Sequence, residues 1–245
     1  MVYRIDARDL DYTRLNQLLR AAVAAGEKEI EVEHVLGQRF IADGLKGEVT
    51  ITLHGVAGAD LGMFMSGPTC ILRGNAEHAP GNTMDAGMIV VHGSAGDAVA
   101  HSMRGGKIFV RDDIGYRGGI HMKEYDTKKP ILVVGGSSRA FLGEYMAGGL
   151  ILVLGLRGAP AVAERGIGSG IHGGEIFIRG EVPPHLLGVG ATMKPAGEKD
   201  LERIAPCIRE YGQHFGKDPA PLLAGDYTRI SPASSRPFAD KYTWE

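Results

Sequence analysis

The groups with which this chain could do chemistry are 9 histidines, 29 acids and 2 cysteines, and their spacing does not converge on a site. His54 and His92 stand 38 residues apart at the same position of a repeated strand. Two coils of a stack separate them by roughly 9–10 Å, too far for one zinc, whose ligands sit at about 2 Å. His121 and His172 each follow Gly-Ile in the two longer turns and could approach each other or a partner, but no carboxylate or cysteine set accompanies them. Asp85, Asp97, Asp112 and Asp113 are scattered; they read as corner residues making turn hydrogen bonds. A glycan-cleaving enzyme would need paired acids instead. The stretch from Gly166 to Gly170, with Gly168 between, imitates a dinucleotide loop. Such a loop must follow a strand and open a helix; this one precedes a strand. Cys70 and Cys207 are expected to be free thiols. No catalytic, cofactor-binding or metal-ligating residue is therefore expected.

The elements that carry these residues repeat. Short apolar runs occupy residues 49–55, 68–74, 87–93, 106–112, 130–136, 149–155 and 174–180. The first four end 19 residues apart, as do the fifth and sixth. A fixed period near twenty residues marks a solenoid. A hexapeptide-repeat acyltransferase would instead show an aliphatic residue at every sixth position.

Aligning the runs on their last residue sorts the side chains by face, because alternate strand residues point the same way. One inward column is Ile51, Cys70, Ile89, Ile108, Leu132, Ile151 and Ile176; the other is Leu53, Leu72, Val91, Val110, Val134, Val153 and Ile178. Outward stand a mostly basic column (His54, Arg73, His92, Arg111, Gly135, Leu154, Arg179) and a mostly apolar one (Thr52, Ile71, Val90, Phe109, Val133, Leu152, Phe177). So much apolar surface does not face bulk water. Either the chain's own terminal helices or another polypeptide covers it. If the cover is a partner, charge at Phe109 or Leu152 weakens partner binding more than folding. The 37 glycines are expected to mark the corners, where positive φ and close stacking favour them.

Three segments follow. Residues 1–47 form an N-terminal helix–strand cap, with a helix over 13–25 N-capped by Thr13 or Asp11 and terminated by Gly26, then a strand burying Ile30, Val32 and Val35. Residues 48–180 form the repeats. Residues 181–245 carry a helix over 198–216, kinked or split by Pro206, and a tail from Asp218 that is extended on another surface or disordered. The fold class is an all-β solenoid of about seven coils with these extensions.

Net charge is −2, hydrophobic content 44% and charged content 23%. That balance argues against a nucleic-acid partner. No apolar run reaches a membrane span, and the opening residues lack a signal-peptide layout, so a cytoplasmic protein is expected. Low aromatic content of 7% also speaks against a long glycan groove.

Several motifs go beyond the period: Leu61-Gly-Met-Phe-Met-Ser-Gly67-Pro-Thr69, Gly81-Asn-Thr-Met84, Ser102-Met-Arg-Gly-Gly106, His121-Met-Lys-Glu-Tyr125 and Phe141-Leu-Gly-Glu-Tyr-Met-Ala-Gly-Gly149. With Ile5-Asp-Ala-Arg8 they resemble the C-terminal GXGXG domain of the glutamate synthase large subunit. The same repeat family is similar to one of the subunits of formylmethanofuran dehydrogenase. The resemblance implies a right-handed parallel β-helix with no catalytic residue of its own. It further implies a stand-alone structural subunit of a split glutamate synthase, which makes glutamate from glutamine and 2-oxoglutarate. The amidotransferase and the FMN and iron–sulfur chemistry would reside on partner chains. The alternatives are a scaffold of a formylmethanofuran dehydrogenase-like or other oxidoreductase complex, and a free-standing solenoid enzyme acting on a small molecule or glycan. A homo-oligomer is compatible with each.

Overall fold

The computed structural model describes residues 2–158 and 160–234. Nine parallel strands stack in chain order: β1 (Tyr3–Asp6), β2 (Glu29–Leu36), β3 (Thr50–Val56), β4 (Ser66–Arg73), β5 (Ala86–Val91), β6 (Lys107–Val110), β7 (Ile131–Val134), β8 (Ala147–Val153) and β9 (Gly173–Arg179). The seven repeat runs are β3 to β9, joined by six parallel ladders. Their register is the sequence alignment itself: Ile51 lies beside Cys70, Cys70 beside Ile89, Ile89 beside Ile108, and so on to Ile176. Both inward columns are buried in one continuous core. The fold is thus the expected parallel β-solenoid.

The corners show how 19 residues close a coil. Each coil places three residues in the left-handed region at alternating positions: Asp60, Gly62 and Phe64; then Ala79, Gly81 and Thr83; Ala98, Ala100 and Ser102; Arg117, Gly119 and His121; Phe141, Gly143 and Tyr145; Gly166, Gly168 and Gly170. Two overlapping turns result, as where Met63 N donates to Asp60 O and Met65 N to Gly62 O. The first residue of each triplet donates its N–H to the coil above, Asp60 to His78 O, Ala79 to Asp97 O and Ala98 to Tyr116 O, at 2.9, 2.8 and 2.7 Å. A non-glycine residue in this region costs roughly 1–2 kcal/mol, and these ladder bonds hold it there. The middle position faces inward: a Cβ at Gly81 would lie 2.3 Å from Ile108 Cδ1. Only the middle position therefore demands a very small side chain, and Ala100 fills it in one coil without exposure. The outer two accept aromatics and charges, so at this corner one column of three requires a small residue, while at the corner before the strands Gly67, Gly87, Gly106, Gly149 and Gly174 take positive φ as expected.

At the start, α1 (Tyr12–Ala24) lays Leu15, Leu19 and Ala22 over the open end of the core. Of the two candidate N-caps the structure uses Asp11, which accepts from Arg14 N at 2.7 Å. Strand β2 buries Ile30, Val32 and Val35 as anticipated.

Beyond β9 the structure departs from expectation. Helix α2 (Glu198–Phe215) runs unbroken through Pro206. It drives Ile204, Cys207, Ile208 and Tyr211 onto the outward column Val90, Phe109, Val133, Leu152 and Phe177, and all of these are buried together. The Tyr211 hydroxyl donates to Arg111 O at 3.0 Å. A side chain at Gly135 would strike that hydroxyl, which is why the basic column is interrupted there. From Val90 to Phe177 the cover is the chain's own helix, so that part of the apolar column is no partner interface. Nor does the chain from Asp218 trail away. It forms α3 (Ala220–Leu223) and then β11 (Tyr227–Pro232), which pairs antiparallel with β9 and, on its other side, with β10 (Ala191–Pro195). This return closes the second end of the stack. The remainder of the expected tail, with the only tryptophan, lies outside the described residues.

Burying Leu152 under α2 has a measurable consequence. Leu152→Ala is expected to cost about 2–5 kcal/mol in urea unfolding of the isolated chain, and Leu152→Asp to prevent folding. Unchanged midpoints for both would show that α2 does not hold this column.

Candidate functional site

A set of charged side chains braces one coil to the next. Asp97 Oδ1 accepts from Tyr116 N at 2.8 Å and Asp113 Oδ1 from Ser137 N at 2.7 Å, the corner role expected for both. Asp112 pairs with Arg111 and with Arg157, at 2.8 and 3.0 Å. The hydrogen bond from Arg111 is the main reason its carboxyl titrates below the usual range. Asp85 takes Lys128 from the long turn. Glu144 takes Arg117, Glu164 takes Arg139, and Glu175 takes both Arg203 of α2 and Arg229 of β11. Both cysteines are buried and unbridged. Burial pushes the Cys70 thiol up to about 12.

One set of donors does converge. Glu31 and Glu33 on β2 meet His54 on β3, their donor atoms all within 4.8 Å of one another. His54 Nε2 lies 3.1 Å from Glu31 and 3.8 Å from Glu33. Arg4 Nε already sits 3.1 Å from the other Glu31 oxygen, so the cluster acts as an ion-pair brace across β1, β2 and β3. A cation there would have to compete with Arg4. This grouping was hidden in the sequence because β2 stands outside the 19-residue period, leaving its register with β3 undefined.

His54 and His92 do not converge, as expected from their two-coil separation; Arg73 stands between them. The Arg73 guanidinium lies 2.9 Å from His92 Nε2, and the His92 ring packs edge-on against Phe215 at 5.1 Å. Desolvation first, then Arg73, Arg111 and His214, bring the His92 pKa from 6.5 down to about 4. Desolvation similarly lowers His214 and His101. His172 turns its Nδ1 to Gly170 O at 3.1 Å, while His121 packs against Tyr145 and His101.

That last contact belongs to a polar and aromatic surface built on the outer corner columns. Asn82 Nδ2 donates to Asp60 Oδ1 at 2.9 Å. Thr83 Oγ1 donates to Asn82 Oδ1 at 3.0 Å, and His101 Nδ1 lies 3.2 Å from the same oxygen. The His101 ring meets His121 edge-on at 6.0 Å, and His121 stacks on Tyr145 at 5.3 Å with 13° between the planes. At the rim, Phe64 is 50% and Tyr145 46% exposed. Arg117 covers Phe141 at 5.0 Å and Arg139 covers Tyr116 at 4.3 Å. Such a face offers flat π surfaces and paired hydrogen-bonding groups, the chemistry of a contact surface. Gly166, Gly168 and Gly170 are the last coil of these same columns, a corner leading into β9 and not the opening of a helix. The period did carry the signal: Phe64, Thr83, Ser102 and His121 stand 19 apart. Aligning strands alone passed over it.

The lowered histidines set a pH dependence. Their folded pKa lies below the unfolded value, so the unfolded chain binds protons more readily. Their stabilising contribution is complete above pH 6.5 and, for His92, is lost as pH falls from 6.5 to about 4. Asp112 and Asp200, held below 3.8, act at lower pH still. Urea midpoints are expected to fall across the 6.5-to-4 window, and less steeply in His92→Asn. An unchanged slope in that variant would contradict the assignment.

Three comparisons bear on this architecture. The GXGXG motif family model matches residues 24–233. An uncharacterised protein of Methanocaldococcus jannaschii is 53% identical over 249 residues, spanning 98% of this chain and 95% of that one. A chain in the crystal structure of the formyltransferase/hydrolase complex (FhcABCD) from Methylorubrum extorquens, solved with methylofuran, superposes with a TM-score of 0.60. That match covers 94% of this chain and 96% of the other at 18% identity, a likeness of fold.

Proposed function

The chain belongs to the GXGXG motif family, and from that premise we propose that it is a non-catalytic assembly subunit of a multi-chain enzyme. One observation carries the reading. The apolar sheet face is closed by α2, whereas the corner columns leave Phe64, His121 and Tyr145 outward on a rigid backbone. Aromatic side chains on a fixed scaffold bury large area at little entropic cost, and interfaces are enriched in them. The reading therefore moves the partner surface from the strand face to the corner.

The motif set from Leu61 to Gly149 favours a split glutamate synthase as the complex. In that arrangement the partners are an amidotransferase chain and an FMN/iron–sulfur synthase chain. They carry the cofactors and the reaction, and the solenoid holds them. A second reading, a scaffold within a formyl-transferring or formylmethanofuran dehydrogenase-like complex, is favoured by the end-to-end likeness to a chain of the formyltransferase/hydrolase complex.

Native purification with mass spectrometry separates the readings. An amidotransferase with an FMN/iron–sulfur chain supports the first, and formyltransferase- or hydrolase-type chains support the second. A chain that purifies only with copies of itself and turns over a substrate alone contradicts both. The surface assignment has its own check. Tyr145→Glu and Phe64→Glu are each expected to weaken recovery of the partner at least tenfold while leaving the urea midpoint of the isolated chain unchanged. Full recovery would place the interface elsewhere.

A further inference from the structure

Three buried side-chain nitrogens among the described residues have no hydrogen-bond partner: Arg179 Nε, His214 Nε2 and Arg229 Nε. Two of these side chains are otherwise engaged, since Arg229 pairs with Glu175 and His214 lies 4.0 Å from Glu210. Arg179 differs, with no hydrogen bond or ion pair among the described residues. A guanidinium keeps its charge at any ordinary pH. Holding its Nε out of water with no acceptor is costly, and a native structure that does so calls for an explanation.

The place of Arg179 supplies one. It is the last residue of β9, cross-strand from Tyr227 of β11. The Tyr227 hydroxyl is committed to Leu222 O at 2.9 Å. Arg179 forms the wall common to two adjoining recesses of about 400 and 390 Å³. Leu154, Pro160, Ala161, Gly180 and Gly225 line the first with it. The glycine at 225 makes room: a Cβ there would lie 3.0 Å from Arg179 Nε. We propose that this recess binds a small aliphatic carboxylate, anchored by the Arg179 guanidinium.

The chemistry selects the class. A planar guanidinium matches the two oxygens of a carboxylate, and the apolar wall suits a short carbon chain better than a hydrated ion. Among the described residues that line the recesses Arg179 is the only Arg or Lys, and Asp226 and Glu181 stand in the two walls. One positive charge flanked by carboxylates favours a monoanion over phosphate.

The test is nuclear magnetic resonance on the full ¹⁵N-labelled chain titrated with propionate. Chloride at matched ionic strength and inorganic phosphate are the controls. The Arg179 Nε–H signal and the Gly180 and Gly225 amides are expected to shift saturably with propionate and not with chloride. Arg179→Gln is expected to raise the apparent Kd at least tenfold with the rest of the spectrum unchanged. Gly225→Ala, which crowds Nε while leaving the charge in place, is expected to raise it about fivefold and serves if Arg179→Gln does not fold. Equal shifts in chloride, tighter binding of phosphate than propionate, or undiminished binding in Gly225→Ala and any folded Arg179→Gln would each overturn the proposal. So would a chain ending at Ser234 whose Arg179 signal moves without ligand, since that assigns the counter-charge to residues 235–245.

Discussion

The backbone hydrogen bonds that join each coil corner to the coil above it are the constraint on which this molecule depends. A solenoid strand finds partners on both sides only if every coil returns to the same place, and here the return is made within 19 residues in most coils. Alternating left-handed residues fold the chain back on itself in two consecutive turns, and the first and third of each triplet send their N–H groups to the neighbouring coil. The middle residue points into the core and must be small. Its neighbours point out and are free in size, which lets a scaffold motif double as a display surface.

The second dependence is on α2. A stack of parallel strands this apolar on its outer face would be an aggregation hazard if left open. The chain covers five strands of it with one amphipathic helix and fixes the helix through Tyr211 to Arg111 O, Lys107 to Glu210, and the Arg203–Glu175 pair. Antiparallel β11 then terminates the ladder that β9 would otherwise present. Because these covers are intramolecular, the strand face beneath α2 is closed to other molecules.

How much of this was legible follows from where periodicity reaches. The alignment of Ile51 with Cys70 and of Leu53 with Leu72 is a local repeat, so strands, register and both inward columns can be read directly. The burial of Phe109 and Leu152 can be read too, but not the identity of what covers them. That depends on Ile204 and Tyr211, about 50 to 100 residues on and outside the repeat. Likewise the Glu31–His54 contact depends on the register of β2 with β3, in which Glu31 lies beside Thr52 at a spacing outside the 19-residue period. His121 is periodic with Phe64, whereas Tyr145 follows a longer turn and falls outside the 19-residue spacing, and the preference of positive φ for glycine masks both as corner residues. Left-handed Asp60, Arg117 and Phe141 show that tertiary hydrogen bonding can override that preference.

The central claim is that the corner ladder is integral to the fold, not a set of loops tied onto a sheet. Native-state hydrogen exchange tests it most directly, at the amides of Ala79, Ala98 and Arg117, each donated to the next coil. These amides are expected to exchange only through global unfolding, with the same free energy as the strand amides of Val91 and Val110. Rapid exchange at the corners, while the strands stay protected, would contradict the account.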